Sequence, residues 1–337
     1  MDRAAEELMG FDRSLGAVAA ALCGDAIGGT FDLIGRLPID EEIEHALSMP
    51  GGGPFRLAPG QVTDHGEMTL ALLDALGAEA CDLDAIPPHV RAAQAYVNWS
   101  QSKPFFMCTP TANALLGHRT ADPKDLATSV LRASKRLNAE STSNSFLTRA
   151  SPLGVWASRH SFAQAIIAAR CDAELTHPIS IGQHACAAYV VAIRHLILAP
   201  GDSDGAIRAA RAALEMDEAA QVRDWLDAAI RGELPAGYPR PGYVGIAFTH
   251  AFAHLHRQST PLEAMRQTLA IGGDPGSNAS IVLGLIGALR GASELPQQWM
   301  AALHGVDLTK GRMRPDWCMA TDLEGRVARM IGVRLDG

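Results

Sequence analysis

An all-α fold follows from three features of the sequence. Apolar residues recur at spacings of three and four through most of the chain, and Ala and Leu dominate those stretches. Aromatic residues make up only 5% of the 337 residues, and alternating runs bounded by turn residues are rare, so the usual signature of a sheet protein is missing.

Taken in order, helices are predicted over 13–29, 66–80, 125–139, 161–175, 184–199, 203–215, 219–232, 260–271 and 278–292. Those over 183–198 and 278–290 are apolar nearly all round, which places them at the centre. Those over 204–216 and 219–231 are amphipathic and belong at the periphery. The Pro/Gly-rich stretches 48–60 (SMPGGGPFRLAPG) and 232–245 (GELPAGYPRPGYVG) read as loops. Composition does not change across them, and no fixed-period repeat is present, so residues 1–337 are expected to form one domain.

The net charge is −8 with His neutral, the wrong sign for a general binder of nucleic acid or of an acidic membrane surface. Cys23, Cys81, Cys108, Cys171, Cys186 and Cys318 are scattered and form no CxxC pair, which points to reduced thiols and a cytoplasmic setting. The acidic N-terminus lacks the apolar core of a signal peptide. No stretch reads as a membrane span; the best candidate, HACAAYVVAIRHLIL, is short and interrupted by Arg194 and His195.

Four polar clusters interrupt this scaffold. In CGDAIGGTFD (23–32), Gly24, Gly28 and Gly29 permit close backbone approach, and Asp25 and Asp32 supply carboxylates. In TDHGEM (63–68), Asp64 suits an N-cap and Glu67 a capping box, which leaves Thr63 and His65 unexplained; a cap and a functional site are both open readings. TSNSFLTRASPLG (142–154) offers Ser, Asn and Arg side chains on a loop between helices. In IGGDPGSNAS (271–280), Asp274 and Pro275 form a helix start, and Gly276 and Ser277 leave free N–H groups suited to an anion. Elsewhere, THAFAHLH sets His250 and His254 on one helix face at a spacing that can bind metal, but without the glutamate of a metalloprotease.

Five motifs in this order resemble those of the ADP-ribosylglycohydrolases. That family has an early GDALG turn followed by an acidic residue, then TDDT-x-M, N-x-x-LMR-x-x-P-x-G, THP and GGDTDT-N. Their counterparts are GDAIG (24–28) with Asp32, TDHGEM (63–68), NSFLTRASPLG (144–154), THP (176–178) and GGDPGSN (272–278). GYVGIAFTHAF and ELPQQWM are also similar, and the likeness runs over about residues 12–305.

The resemblance implies a single-domain orthogonal helical bundle with a cleft for ADP-ribose. It further implies hydrolysis of the glycosidic bond of an ADP-ribosylated protein or a related nucleotide-ribosyl molecule. Carried onto this chain, the implied ligand contacts are Gly24, Asp25, Asn144, Arg149, Gly154, His177, Gly273, Gly276, Ser277 and Asn278, and the implied catalytic groups are Asp32, Asp64, His65 and Glu67.

The family holds two magnesium ions with the TDD and GGDTDT side chains. Here Thr63, Asp64 and Asp274 remain, Ser277 keeps a hydroxyl, His65 replaces one carboxylate, and Gly276 removes another. Magnesium prefers carboxylate oxygens, so a two-magnesium cluster is not expected. Three alternatives remain: one magnesium or other divalent ion at Thr63, Asp64, Asp274 and Ser277; a softer metal using His65; or no metal, with His65 and Glu67 as protic replacements. The second functional reading is a catalytically inactive ADP-ribose-binding or structural homologue.

Overall fold

A computed structural model describes residues 3–77, 86–118, 120 and 122–333, with side chains from Glu7 onward. Cys81 and the predicted helical residues 78–80 lie outside the described residues. Among the described residues there are seventeen α-helices and no strand, only two isolated bridges. They are α1 (Arg3–Gly28), α2 (Asp40–Ala46), α3 (Asp64–Gly77), α4 (Pro88–Gln101), α5 (Thr109–Leu115), α6 (Pro123–Leu137), α7 (Ser145–Thr148), α8 (Ser151–Ala157) and α9 (Phe162–Glu174). The remainder are α10 (Ser180–Leu198), α11 (Ser203–Ala212), α12 (Ala220–Arg231), α13 (Val244–His256), α14 (Pro261–Ala270), α15 (Pro275–Arg290), α16 (Gln297–His304) and α17 (Leu323–Ile331).

The centre is α15 packed antiparallel on α1, with α10, α13 and α14 also against α15. Every residue of α15 from Pro275 to Leu289 is buried, as the all-round apolar pattern requires. By contrast α11 and α12 bury one face each, through Ala206, Ile207 and Ala210 and through Val222, Leu226 and Ala229. The sequence pattern passed over α4, although it starts on Pro88 and buries Val90, Ala93, Val97 and Ser100 at helical spacing. Its many polar residues mask that stripe.

Two sequence expectations are corrected. Residues 142–154 are not a plain loop: they carry the short helices α7 and α8, which bury Phe146, Leu147, Leu153 and Val155. Two helical stretches, Glu7–Phe31 and Ser180–Leu198, are long and apolar enough to cross a bilayer, but 94% and 72% of their apolar windows are buried inside the fold. Their hydrophobicity is that of core helices.

Glycines set how closely α1 and α15 approach. A Cβ added at Gly16 would lie 2.4 Å from the Gly287 carbonyl oxygen, one at Gly24 2.5 Å from that of Ala279, and one at Gly28 2.4 Å from that of Pro275. The two backbones are therefore in contact along three turns. Gly28→Ala would gain about 0.5–1 kcal/mol of helix propensity at an open site. Here it is expected to destabilise instead, by about 1–3 kcal/mol, because the methyl group has no room. Urea denaturation of Gly28→Ala against wild type checks the sign.

Candidate active site

The close approach of α1 to α15 brings two carboxylates of the first cluster onto two helix N-termini. Asp25 accepts from the Thr63 N–H at 2.6 Å, the Thr63 hydroxyl at 2.5 Å and the Gly66 N–H at 3.1 Å. It thus caps α3 from a neighbouring helix. Gly66 makes this possible, since a Cβ there would stand 2.6 Å from Asp25 Oδ2. The expected local capping box of Asp64 and Glu67 does not form. A 3-10 turn over Gly29–Phe31 then delivers Asp32, which accepts from the Gly276 N–H at 2.9 Å in the first turn of α15. Asp274 and Pro275 do start α15, yet the Asp274 side chain makes no cap bond, because Asp32 has taken that place.

His65 sits between these acids. Its Nδ1 lies 3.7 Å from Asp25 Oδ1, and its Nε2 lies 3.9 Å from Asp64 Oδ2 and 3.4 Å from Ser277 Oγ. Nδ1 makes no hydrogen bond, so its tie to Asp25 is ionic. Burial alone would lower the imidazole pKa, but Asp64, Asp25 and Asp274 together raise it well above its ordinary value. Burial, reinforced by Asp274, raises Asp32 well above the carboxylate range against the pull of His65 and the Gly276 N–H. Burial pushes Asp64 up to about 6, with His65 opposing it.

This floor closes a cleft of about 420 Å³. Asp32, His65, Asp274 and Ser277 form the floor, and Ser143, Asn144 and Ser145 form one wall, tied back by Asn144 N–H to the Gly242 carbonyl at 2.8 Å. Phe55, Phe106 and Tyr238 line the mouth, with Phe55 and Phe106 ring centroids 5.2 Å apart. Gly242 and Gly273 complete the rim, and Gly273 is at φ +80°.

Of the residues selected from sequence, Asp32, His65, Asn144, Gly273, Asp274 and Ser277 line the cleft. The others stand behind it. Gly24 and Gly276 are close-packing positions, and a Cβ at Gly276 would fall 2.6 Å from Asp32 Oδ2. Gly154 packs on Ile193. Asn278 accepts from the Asn144 amide at 3.1 Å and so holds that wall from behind. Asp25, Thr63 and Asp64 are buried beneath His65, with 0%, 0% and 3% exposure.

Arg149 is wholly buried, donating to Asp172 Oδ2 at 3.2 Å, the Asp172 carbonyl at 3.1 Å and Thr176 Oγ1 at 3.0 Å. His177 is buried behind Ser143. His250 and His254 are engaged with the Pro235 carbonyl and with Ser259 Oγ, not with each other through a metal.

Glu67 faces away from the cleft. Its carboxylate accepts from Trp99 Nε1 at 2.7 Å and from Arg314 Nε and Nη2 at 2.7 and 2.8 Å. Arg314 also holds the Ser102 and Lys103 carbonyls at 2.9 and 3.0 Å. Glu67 is therefore an anchor for α3, and a catalytic role does not fit its position.

Sequence reading missed Ser143 and Ser145, although they flank Asn144 in TSNSF. It also missed Phe55, Phe106 and Tyr238, which lie in loops whose destination no local pattern encodes.

The donor set does not fit two metal ions. Asp32 occupies the space that a side chain at 276 would need, His65 fills a carboxylate's place, and the Thr63 hydroxyl is committed to Asp25. Of the four single-ion candidates, Asp274 and Ser277 line the cleft while Thr63 and Asp64 do not. No group of three His, Cys, Asp or Glu side chains suited to an ion occurs among the described residues.

A model of the ADP-ribosylglycohydrolase family matches residues 7–330. The chain belongs to that family. It is 37% identical over 93 residues to the ADP-ribosyl-[dinitrogen reductase] glycohydrolase of Rhodospirillum rubrum, covering 28% of this chain and 30% of that one. It is 44% identical over 63 residues to the ADP-ribosylarginine hydrolase Tri1 of Pseudomonas putida, covering 19% and 16%. The chain thus spans well under half the length of these curated relatives. A solved structure of an ADP-ribosylglycohydrolase-related protein complex superposes with a TM-score of 0.70 at 23% identity, covering 97% of this chain and 99% of that one. It shows the same fold.

Removing Arg314 would leave Glu67 buried without its counter-ion. Arg314→Met is expected to cost about 3–5 kcal/mol, and Glu67→Gln in the same chain to recover part of it. Chemical denaturation of the single and double variants measures both effects.

Proposed function

We infer that this protein hydrolyses the glycosidic bond between an ADP-ribosyl group and its acceptor. The observation that carries the reading is a pair of carboxyl groups in unlike environments at the floor of the cleft. Asp32 is buried, bonded to a backbone N–H and raised in pKa, which suits it to hold a proton. Asp274 also faces the cleft, and no hydrogen bond to its carboxylate occurs among the described residues. Two carboxyl groups in such different surroundings are what glycoside hydrolysis needs.

Asp32 gives its proton to the departing acceptor atom as the bond to ribose C1″ breaks. Asp274 faces the developing oxocarbenium charge and takes the proton of the water that attacks C1″. His65, fixed by Asp25 and Asp64, turns its Nε2 edge toward Ser277 and the ligand. Asp64 thereby acts through His65 and not on the substrate directly. Family membership and the activities of the named relatives support ADP-ribosyl compounds as the substrate class, with a modified protein or a small molecule as the acceptor. The polar, closely fitted floor also favours an enzyme over an inert homologue, since lost function leaves no reason to keep buried acids together.

Free ADP-ribose released from ADP-ribosylarginine, an ADP-ribosyl-serine peptide or NAD is the readout. Asp32→Asn and Asp274→Asn are each expected to slow release by about 10²–10⁴-fold with the fold retained. Wild type that releases nothing from any of the three would sink the reading.

The sign of the pH dependence follows from Asp32. Its proton is retained to higher pH than in an ordinary carboxyl, so the rate should fall as pH rises through that raised pKa. A pH–rate profile that climbs steadily through the alkaline limb would remove Asp32 from the acid role.

Because the donor set suits no metal cluster, release should persist in a chelator. Loss of turnover in EDTA, restored by magnesium, would overturn that expectation.

A further inference from the structure

Among the described residues, no Lys or Arg lines the cleft, although the proposed ligand carries two phosphates. A buried cation stands behind its wall instead. Arg149, 0% exposed, donates from Nη2 to Thr176 Oγ1 at 3.0 Å. Thr176 Oγ1 is 2.9 Å from His177 Nδ1, and His177 Nε2 is 2.7 Å from Ser143 Oγ and 3.3 Å from Ser145 Oγ. Ser143 and Ser145 face the cleft and lie 3.2 Å from each other.

Counting donors gives this chain a direction. The Arg149 guanidinium can only donate, so Thr176 Oγ1 accepts from it. The Thr176 hydroxyl proton then needs an acceptor, and the one within hydrogen-bond range among the described residues is His177 Nδ1. An Nδ1 that accepts puts the single proton of a neutral imidazole on Nε2. Nε2–H therefore donates to Ser143 Oγ, with Ser145 Oγ as a longer second acceptor. Even if one serine hydroxyl donates to the other, a hydroxyl proton is left over for the cleft.

We propose that His177 and Thr176 are positioning residues that carry the polarity of buried Arg149 to the Ser143 and Ser145 hydroxyls, which then donate to an anionic phosphate oxygen of the ligand. A direct cation would be a mobile, hydrated side chain at the mouth. The relay supplies fixed donors, oriented before the ligand arrives and polarised by a charge that never leaves the interior. Burial, aided by the Arg149 charge, pushes the His177 pKa down to about 3, so the imidazole stays neutral and the relay keeps its direction at ordinary pH. For the identity of the ligand this rests on the ADP-ribose reading; the relay itself requires only a phosphate oxygen.

Calorimetric titration of the full chain with inorganic pyrophosphate, ADP-ribose and adenosine tests it. Ser143→Ala alters a half-buried wall position, and His177→Phe removes both ring nitrogens. Each is expected to weaken pyrophosphate and ADP-ribose by about tenfold, the worth of one hydrogen bond to a charged group, and to leave adenosine unchanged. Acting in series, the two changes together should cost no more than either alone. His177→Gln keeps an acceptor and a donor and should restore most of the affinity.

In ¹⁵N-histidine spectra the His177 proton should sit on Nε2. A proton on Nδ1, wild-type affinities in Ser143→Ala, or losses that multiply would overturn the relay. Should His177→Phe not fold, Ser143→Ala and the tautomer still decide. Binding of pyrophosphate but not ADP-ribose by wild type would refute the substrate reading and keep the relay. Binding of ADP-ribose undiminished in Ser143→Ala would do the reverse, and binding of neither would refute both.

Discussion

The site depends on one contact: the backbone of α1 lying directly on that of α15 through Gly16, Gly24 and Gly28. Two antiparallel helices this close carry the C-terminal end of one past the N-terminal end of the other. Asp25 and Asp32 thus arrive where the unpaired N–H groups of α3 and α15 need acceptors. Each carboxylate satisfies orphan donors and meets the positive end of a helix dipole. In doing so it relieves Asp64 and Asp274 of capping. Asp274 is left facing the cleft, and Asp64 is left to hold His65.

The same device recurs around the cleft at other scales. Asn278 holds Asn144, Arg314 holds Glu67, and Arg149 holds Asp172 and Thr176. In each case one buried polar group fixes another. The polar residues of the family motifs divide accordingly into those that touch the cleft and those that keep such residues in place. Motif membership cannot separate the two, because a buried anchor and a ligand contact are equally polar in sequence.

His65 and Gly276 belong together chemically. At 276 a side chain would collide with Asp32, so the carboxylate that the family pattern places there is absent, and the acid that follows α1 holds the Gly276 N–H instead. At 65 an imidazole stands among Asp25, Asp64 and Asp274, and their negative charge holds it protonated more firmly than an isolated histidine. One internal cation then balances part of the acidic floor. The changes at both positions are local, but their effects meet within one cluster: the imidazole and Asp32 both face the cleft.

The sequence by itself determined the helical class, the central place of α10 and α15, the peripheral place of α11 and α12, and the motif order that marks the family. Those properties are written in short-range periodicity and in spacing along the chain, which survive without knowledge of any partner. It also placed the start of α15 on Asp274 and Pro275. Only the tertiary structure decided which polar residue does what. Asp25 caps α3 across 38 positions and Asp32 caps α15 across 244, so no window of sequence contains both partners. Glu67 turned away from the cleft because Trp99 and Arg314 wait there. Ser143 and Ser145 became a cleft wall because His177 is packed behind them, and Phe55 and Phe106 met at the mouth because two separate loops converge. Hydrogen-bond demand is local and legible; the group that meets it is chosen by packing.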